Sequence, residues 1–252
     1  MTKIKPKIMK KQINAAIIII GNEILSGRTL DKNTQEIALT LGKIGIDIIE
    51  ARTIPDNKKM IIDNIRHLSS IYDYVFTTGG IGPTHDDITA ESVAEAFGLD
   101  LILDAGVCRD LEEFSHQRGE ELNESRKKMA YFPKGSKLLH NKESAAPGFM
   151  VNNVCVMAGI PTIMKAMLGA ALPSLRKGQL VHSKSMEVII GESHIAKSLT
   201  ALQKKYPNVE IGSYPFKKEG EHGTSLVLRS VNREVLEVAF EELESFINDI
   251  VN

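Results

Sequence analysis

Thr77-Thr78-Gly79-Gly80-Ile81-Gly82-Pro83-Thr84-His85-Asp86-Asp87-Ile88-Thr89 joins the apolar run Tyr74–Thr78 to an amphipathic stretch that closes at Phe97-Gly98. A buried strand that turns into a helix through three glycines reads as one unit of an open α/β sheet, where ligands sit at the carboxyl ends of strands. Without Cβ atoms the glycines let backbone N–H groups approach a phosphate. The following helix adds unpaired donors and the positive end of its dipole. Asp86 and Asp87 would repel that phosphate unless a divalent cation stands between them. Magnesium is held by one or two carboxylates plus phosphate oxygens and acts as Lewis acid and template. The competing reading is structural: Asp87 or Thr89 caps the helix, and His85 fills the loop instead of touching phosphate.

Working outward, Ala15–Ile20 is a continuous apolar run ending at a glycine, the pattern of a buried parallel strand. A helix is expected next, with Asp31 or Asn33 as N-cap and Ile37, Leu41 and Ile44 inside. Ile46–Ile54 reads as a second strand. Pro55-Asp56 is expected to open a second helix with Met60, Ile61, Ile65 and Leu68 as its inner stripe. With Tyr74–Thr78 as third strand and a helix from Ile88, the β-α rhythm predicts a mostly parallel sheet with right-handed crossovers. Asp100 to Pro133 reads as mainly helical. Leu138–Leu139, Phe149–Val151 and Val154–Met157 read as short strands, and Ile160-Pro161 opens a helix with Ile163, Met164, Met167 and Leu168 inside.

Pro173 to Ser183 carries the change of domain. Beyond it, strands are expected at Met186–Ile190, Val209–Ser213 and Ser225–Val231, with a charged hairpin loop Lys217–Gly223. Helices are expected at Ile195–Tyr206 and Val235–Ile250. This β-α-β-β-α order predicts a small α+β unit, with helices on one face of an antiparallel sheet. The expected domains are a basic tail 1–13, an α/β domain 14–177 and a small domain 184–252.

A second candidate cluster, Gly21-Asn22-Glu23-Ile24-Leu25-Ser26-Gly27, lies at the end of the first strand, on the same sheet edge as the glycine loop. Glu23 is suited to orienting a metal or binding ribose hydroxyls; alternatively Asn22 and Ser26 satisfy the loop's own backbone. Asp31 and Asp56 also begin helices on that edge. Ala145-Ala146-Pro147-Gly148-Phe149 and Ala158-Gly159-Ile160-Pro161 mark turns. Arg126 and Lys128 offer positive charge to a phosphate or form a solvated helical face.

The 252 residues carry 42% hydrophobic and 25% charged side chains, which excludes a disordered chain. A net charge of -1 supplies no basic field for nucleic acid, and few aromatics leave no extended platform for stacking bases. The longest apolar run is far below the ~20 residues that span a bilayer. The lysine-rich start, Met1 to Lys11, reads as an exposed basic tail and not a secretory signal. Cys108 and Cys155 show no metal-ligand spacing and read as reduced, buried thiols of a cytoplasmic protein.

Gly21 to Leu25, Gly79 to Thr89 and Ala146-Pro147-Gly148-Phe149 together resemble the molybdopterin-binding (MoaB/Mog-like) domain, in the form found in the N-terminal part of the competence/damage-inducible CinA proteins. The resemblance covers roughly residues 14–175, and the C-terminal unit is similar to the small domain that follows in that family. CinA proteins often continue into a nicotinamide-nucleotide deamidase domain; the resemblance is to the short, stand-alone form. It implies a three-layer α/β fold and two competing activities: metal-dependent cleavage of ADP-ribose, or adenylylation of molybdopterin. By position, Asp56 and Asp87 match the acidic residues associated with the active site, and Asp86 matches the neighbouring acid of the CinA form. On this basis Asp87, Asp56 and Asp86 are the catalytic candidates. Phosphate or substrate contacts are expected from Gly21, Asn22, Glu23, Gly79, Gly80, Gly82, Thr84, Lys128, Gly148 and Gly159. A metal is expected at Asp86, Asp87 and Glu23, with Mg2+ or another divalent ion as cofactor and K+ as a second cation. Three departures lie near the expected rim: Met157-Ala158-Gly159 replaces Leu-Pro-Gly, Met129 replaces a glutamine, and Ser144-Ala145 replaces Gly-Thr.

The expected function is therefore Mg2+-dependent hydrolysis of ADP-ribose or a related nucleotide diphosphate. The alternatives are a molybdopterin-binding protein or nucleotidyltransferase, and a non-catalytic nucleotide-binding regulator. A phosphorylated small molecule is the expected partner, with no nucleic acid and no membrane, and a homodimer is the expected assembly.

Overall fold

In the computed structural model, which describes residues 12–218 and 220–251, every residue of β1 (Ile13–Ile20) except Asn14 is buried. Its side chains alternate between two cores. Ala16, Ile18 and Ile20 pack with Ile61, Ile65 and Leu68 of one helix and Val93 of another. Ala15, Ile17 and Ile19 pack on the opposite face with Ile37, Leu41, Met164 and Leu168. Burial on both faces is what a run without polar alternation demands, and each such isoleucine contributes about 1.5–3 kcal/mol of transfer free energy.

β1 leads through the one-turn helix α1 (Asn22–Leu25) to α2 (Asn33–Gly42), β2 (Ile46–Ile54), α3 (Lys58–Ile71), β3 (Tyr74–Thr78) and α4 (Thr89–Phe97). An excursion follows: β4 (Leu101–Leu103), α5 (Ala105–His116), α6 (Glu124–Lys127) and β5 (Tyr131–Pro133). The chain then returns as β6 (Lys137–Leu139), β7 (Gly148–Val151), β8 (Val154–Met157) and α7 (Pro161–Ala171). The main sheet has the order β2-β1-β3-β8-β7-β6. Its β2, β1, β3 and β8 are parallel, and β7 and β6 are antiparallel additions. The fold is thus the expected mostly parallel α/β sheet between two helical layers.

The described residues divide into two units at Gly178/Gln179. The second holds β9 (His182–Val188), α8 (Glu192–Lys205), β10 (Glu210–Lys218), β11 (Glu221–Ser230) and α9 (Arg233–Val251). Its antiparallel sheet has the order β10-β11-β9, and its own core is built from residues such as Ile195, Leu226, Leu228, Phe240 and Leu243. No helix of the described residues is long and apolar enough to cross a membrane.

Several local expectations are corrected. Asp100 to Pro133 is mainly helical as expected, through α5, α6 and the turn Lys128–Ala130, but its two ends, β4 and β5, pair as a separate two-stranded ribbon that was not expected. The second helix begins after Asn57, whose side chain accepts the Met60 N–H, so Asp56 does not open it. Met60 faces outward at 42% exposure, and Ile62 takes its place inside. The charged hairpin is strand almost to its tip, since β10 pairs with β11 out to Lys218↔Glu221. β9 begins at His182 and ends at Val188, earlier than expected. Cys155 is buried and its thiol is pushed up to about 12 by burial, but Cys108 is half-buried. The lysine-rich stretch 1–11 lies outside the described residues.

Candidate functional site

At the carboxyl end of β3 the backbone bends through Gly79 (φ 102°) and Gly80 (φ 68°). Both need glycine twice over. Positive φ disfavours any Cβ, and a Cβ would fall 2.1 Å from the Ile20 carbonyl oxygen at Gly79 and 2.2 Å from Thr89 Oγ1 at Gly80. Gly79 N–H donates to Met157 O at 3.0 Å, tying the loop to β8. Buried Thr89 closes it from the other side. Its hydroxyl donates to Gly79 O at 3.1 Å and its N–H to Gly80 O at 3.0 Å. Thr89 thus belongs to the loop's scaffold and does not cap α4, whose first turn has no side-chain cap.

Asp87 does not cap α4 either. Its Oδ2 accepts the Thr84 N–H at 2.8 Å and the Thr84 hydroxyl at 2.6 Å. Asp86 Oδ1 contacts the same hydroxyl. One hydroxyl carries one proton, so only one of the two carboxylates can receive it at a time. Lys128 Nζ donates to Thr84 O at 3.1 Å, holding the turn from outside. The Thr84 hydroxyl, then the Asp86 backbone N–H, hold the Asp86 carboxyl below its usual range; nearby His85 and Lys128 add to this. The His85 side chain is 99% exposed and lies 3.9 Å from Asp86 Oδ1.

On the neighbouring strand end, Asp56 Oδ2 accepts the Asn22 N–H at 2.9 Å, and Gly21 N–H donates to Ile54 O at 3.1 Å. Gly21 also makes room for the Glu23 carboxylate, which lies 2.6 Å from where a Cβ would stand. Asp31 Oδ1 accepts the Asn33 and Thr34 N–H groups and so starts α2. Asn33 in turn donates through Nδ2 to Gly159 O at 2.8 Å. Ala158 N–H is satisfied only weakly, by Met167 Sδ at 3.3 Å.

These elements enclose a cavity of about 570 Å3. Of the sequence candidates, Glu23, Asp56, Gly79, Gly80, Gly82, Thr84, Asp86, Asp87 and Gly159 line it. Gly21 and Asn22 stand behind as its supports. Lys128 faces a neighbouring cavity, of about 250 Å3. Gly148 lines neither; it is buried in β7, where a Cβ would fall 2.5 Å from Val156 O, so its role is packing. The structure adds Thr29, Ser144, Met129 and Met167 to the larger cavity's wall. The rim departures flagged Met129 and Ser144; nothing local in the sequence marks Thr29, and Met167 read only as core.

The larger cavity has four carboxylates on its wall and no lysine, arginine or histidine. Among the described residues, however, no three His, Cys, Asp or Glu side chains are grouped closely enough to hold a metal. Glu23 therefore does not complete a three-carboxylate set with Asp86 and Asp87. Asp86 and Asp87 converge on the Thr84 hydroxyl, and two carboxylates are a donor set of the kind magnesium accepts when phosphate and water supply the other oxygens.

Residues 16–177 match the family model described as "Probable molybdopterin binding domain", and residues 180–251 match that of the FAD synthase middle domain. A protein of Archaeoglobus fulgidus is 35% identical over 92% of this chain and 97% of its own length. A competence-damage inducible protein of Caldicellulosiruptor bescii is 35% identical over 88% of this chain but 59% of its own length, so the chain spans little more than half of that relative. Among solved structures, CinA of Thermoplasma acidophilum superposes with a TM-score of 0.59 at 32% identity, covering 64% of this chain and 96% of that one.

Proposed function

The chain belongs to the molybdopterin-binding domain family and is related to competence-damage inducible proteins; from that premise we propose that its first domain is a Mg2+-dependent hydrolase of ADP-ribose or a related nucleotide diphosphate. The observation that carries the proposal is the union of a glycine loop with a cavity wall whose charged residues are all acidic. Glu23, Asp56, Asp86 and Asp87 line the same space as Gly79, Gly80 and Gly82. Such a wall takes a phosphorylated ligand only with added positive charge.

A divalent ion on Asp86 and Asp87 would supply that charge and polarise the bridging phosphate. The protein's own groups do the rest. The glycine loop admits phosphate oxygens to the backbone. Thr84 holds Asp87 through its N–H and shares its single hydroxyl proton between Asp87 and Asp86. Asp56, positioned by the Asn22 N–H, accepts a proton from the attacking water. Water adds to one phosphorus as the P–O–P bridge breaks, so ADP-ribose gives AMP and ribose 5-phosphate, with the water's protons shared between products and medium.

The test is purified protein with Mg2+ and ADP-ribose, with released AMP read by chromatography before and after EDTA. Turnover that EDTA abolishes is expected; no turnover across several divalent metals overturns the hydrolase. A second reading, molybdopterin binding or its adenylylation, is favoured by the family match over residues 16–177. It uses the same loop and predicts that molybdopterin is bound, or adenylylated when ATP is present.

A further inference from the structure

The glycine loop is a partition with a cavity on each side. Gly80, Ile81, Gly82, Asp87 and Met129 are wall to both the 570 Å3 cavity and the 250 Å3 one. Both walls carry carboxylates among mainly apolar side chains, but they differ in their aromatic residues. The larger has none, whereas the smaller gathers Tyr131, Phe132 and Phe149, in a chain with few aromatics, beside Leu101, Ala90 and Met129. Its back wall is rigid, because Phe132 and Phe149 are 6% and 1% exposed and pack edge to face with centroids 5.8 Å apart. Its polar groups are few: Lys128, which also holds the loop through Thr84 O, and the carboxylates of Asp87, Glu91 and Glu124.

We propose that this smaller cavity is a binding subsite for a flat heteroaromatic ring bearing amino groups, such as a purine, so that the ligand straddles the loop with its phosphates at the glycines. Apolar and aromatic walls favour a ring over a sugar, and carboxylates accept hydrogen bonds from exocyclic amino groups but repel a second phosphate. The excursion from β4 to β5 thereby acquires a role. It supplies Leu101, Tyr131 and Phe132 and turns a phosphate loop into a two-sided site. The inference rests on the loop being the phosphate site, and it selects diphosphates with an aromatic head over inorganic or sugar phosphates.

The test uses the full chain with Mg2+ and titration calorimetry of AMP, ribose 5-phosphate and inorganic pyrophosphate. Two variants fill the small cavity from different sides, Ala90→Trp from α4 and Leu101→Trp from β4, each checked for folding by its melting curve. The wild type is expected to bind AMP about tenfold or more tighter than ribose 5-phosphate, the usual scale for one stacked base. A folded variant is expected to lose that advantage while its pyrophosphate affinity stays within about twofold. A folded variant that keeps full AMP affinity overturns the subsite, as does a wild type with no preference for AMP. If Ala90→Trp does not fold, Leu101→Trp decides, its side chain being 39% exposed and its strand only a ribbon. Adenosine binding that Leu101→Trp abolishes, with no pyrophosphate binding by the wild type, would uphold the ring subsite and sink the phosphate-loop reading instead.

Discussion

Asp87 reaches back to Thr84 with a single oxygen, accepting both its N–H (2.8 Å) and its hydroxyl (2.6 Å). An aspartate that could have capped α4 is thus spent on shaping the loop before it, while still lining the cavity.

Asp87→Asn separates those two roles. The amide oxygen can still accept from Thr84, so the melting temperature is expected to stay within about 2 °C of wild type, as for a near-isosteric change at a half-buried loop position. The lost charge is expected to weaken Mg2+-dependent ligand binding about 10–100-fold, the usual scale for disturbing a metal's carboxylate surroundings. Calorimetry with and without Mg2+ checks it. Unchanged affinity would place the metal elsewhere.

Thr84→Val removes the main cause of the depressed Asp86 pKa. In the wild type Asp86 stays ionised below its ordinary value of 3.8. The stabilisation from that shift is fully present above the unfolded value and is lost as pH falls through the lower folded one. The variant is expected to move the Asp86 titration upward, and with it the acid limb of metal binding. Carboxyl carbon NMR of the metal-free protein reads this directly; a titration that does not move would show that the hydroxyl is not what holds Asp86 ionised.

Glycines with similar φ are expected to tolerate substitution very differently. At Gly27 (φ 72°) an added methyl would meet nothing within 4 Å, so Gly27→Ala should cost about 1–2 kcal/mol, the left-handed penalty alone. Gly80→Val adds a collision with Thr89 Oγ1 and a β-branched side chain at positive φ. It is expected to cost more than about 3 kcal/mol and to abolish ligand binding. Urea melts of both variants compare them.

Ala158→Pro places a proline directly after β8. It deletes an N–H whose acceptor is only a thioether and stiffens the unfolded chain, so stability is expected to change by less than about 1 kcal/mol. Met167→Ala, at 1% exposure in the same contact, is expected to cost about 2–5 kcal/mol. Thermal unfolding distinguishes them; a large loss in Ala158→Pro would mean that the sulfur contact matters far more than its chemistry suggests.

Strand β3 was legible to the residue because a buried run ending at glycine leaves few alternatives, and β2 because Ile46–Ile54 alternates apolar with mostly polar residues up to Pro55. The β4–β5 ribbon was not. Leu101, Ile102 and Leu103 are all at least 37% exposed, so no alternation marks them as strand. At the site, the loop's glycines and its two aspartates were legible because their chemistry is local. The partners were not: Asp56 with Asn22, Asn33 with Gly159 and Lys128 with Thr84 meet only through the sheet. A single sequence also cannot separate an aspartate that caps the next helix from one that folds back, as Asp87 does. Asn57, one residue beyond Asp56, won the capping position of α3 by the same kind of local competition.

The hydrogen bond from Gly79 N–H to Met157 O has a consequence for synthesis. A chain leaving the ribosome exposes Gly79-Gly80-Ile81-Gly82 long before β8 exists, and β3 waits with one edge bare. Pairings this distant form late, since the intervening segment must be ordered first. The excursion that builds the ring-lined cavity lies within that same interval. The glycine motif is therefore among the later parts of its domain to be set, since it waits for Met157 to be made.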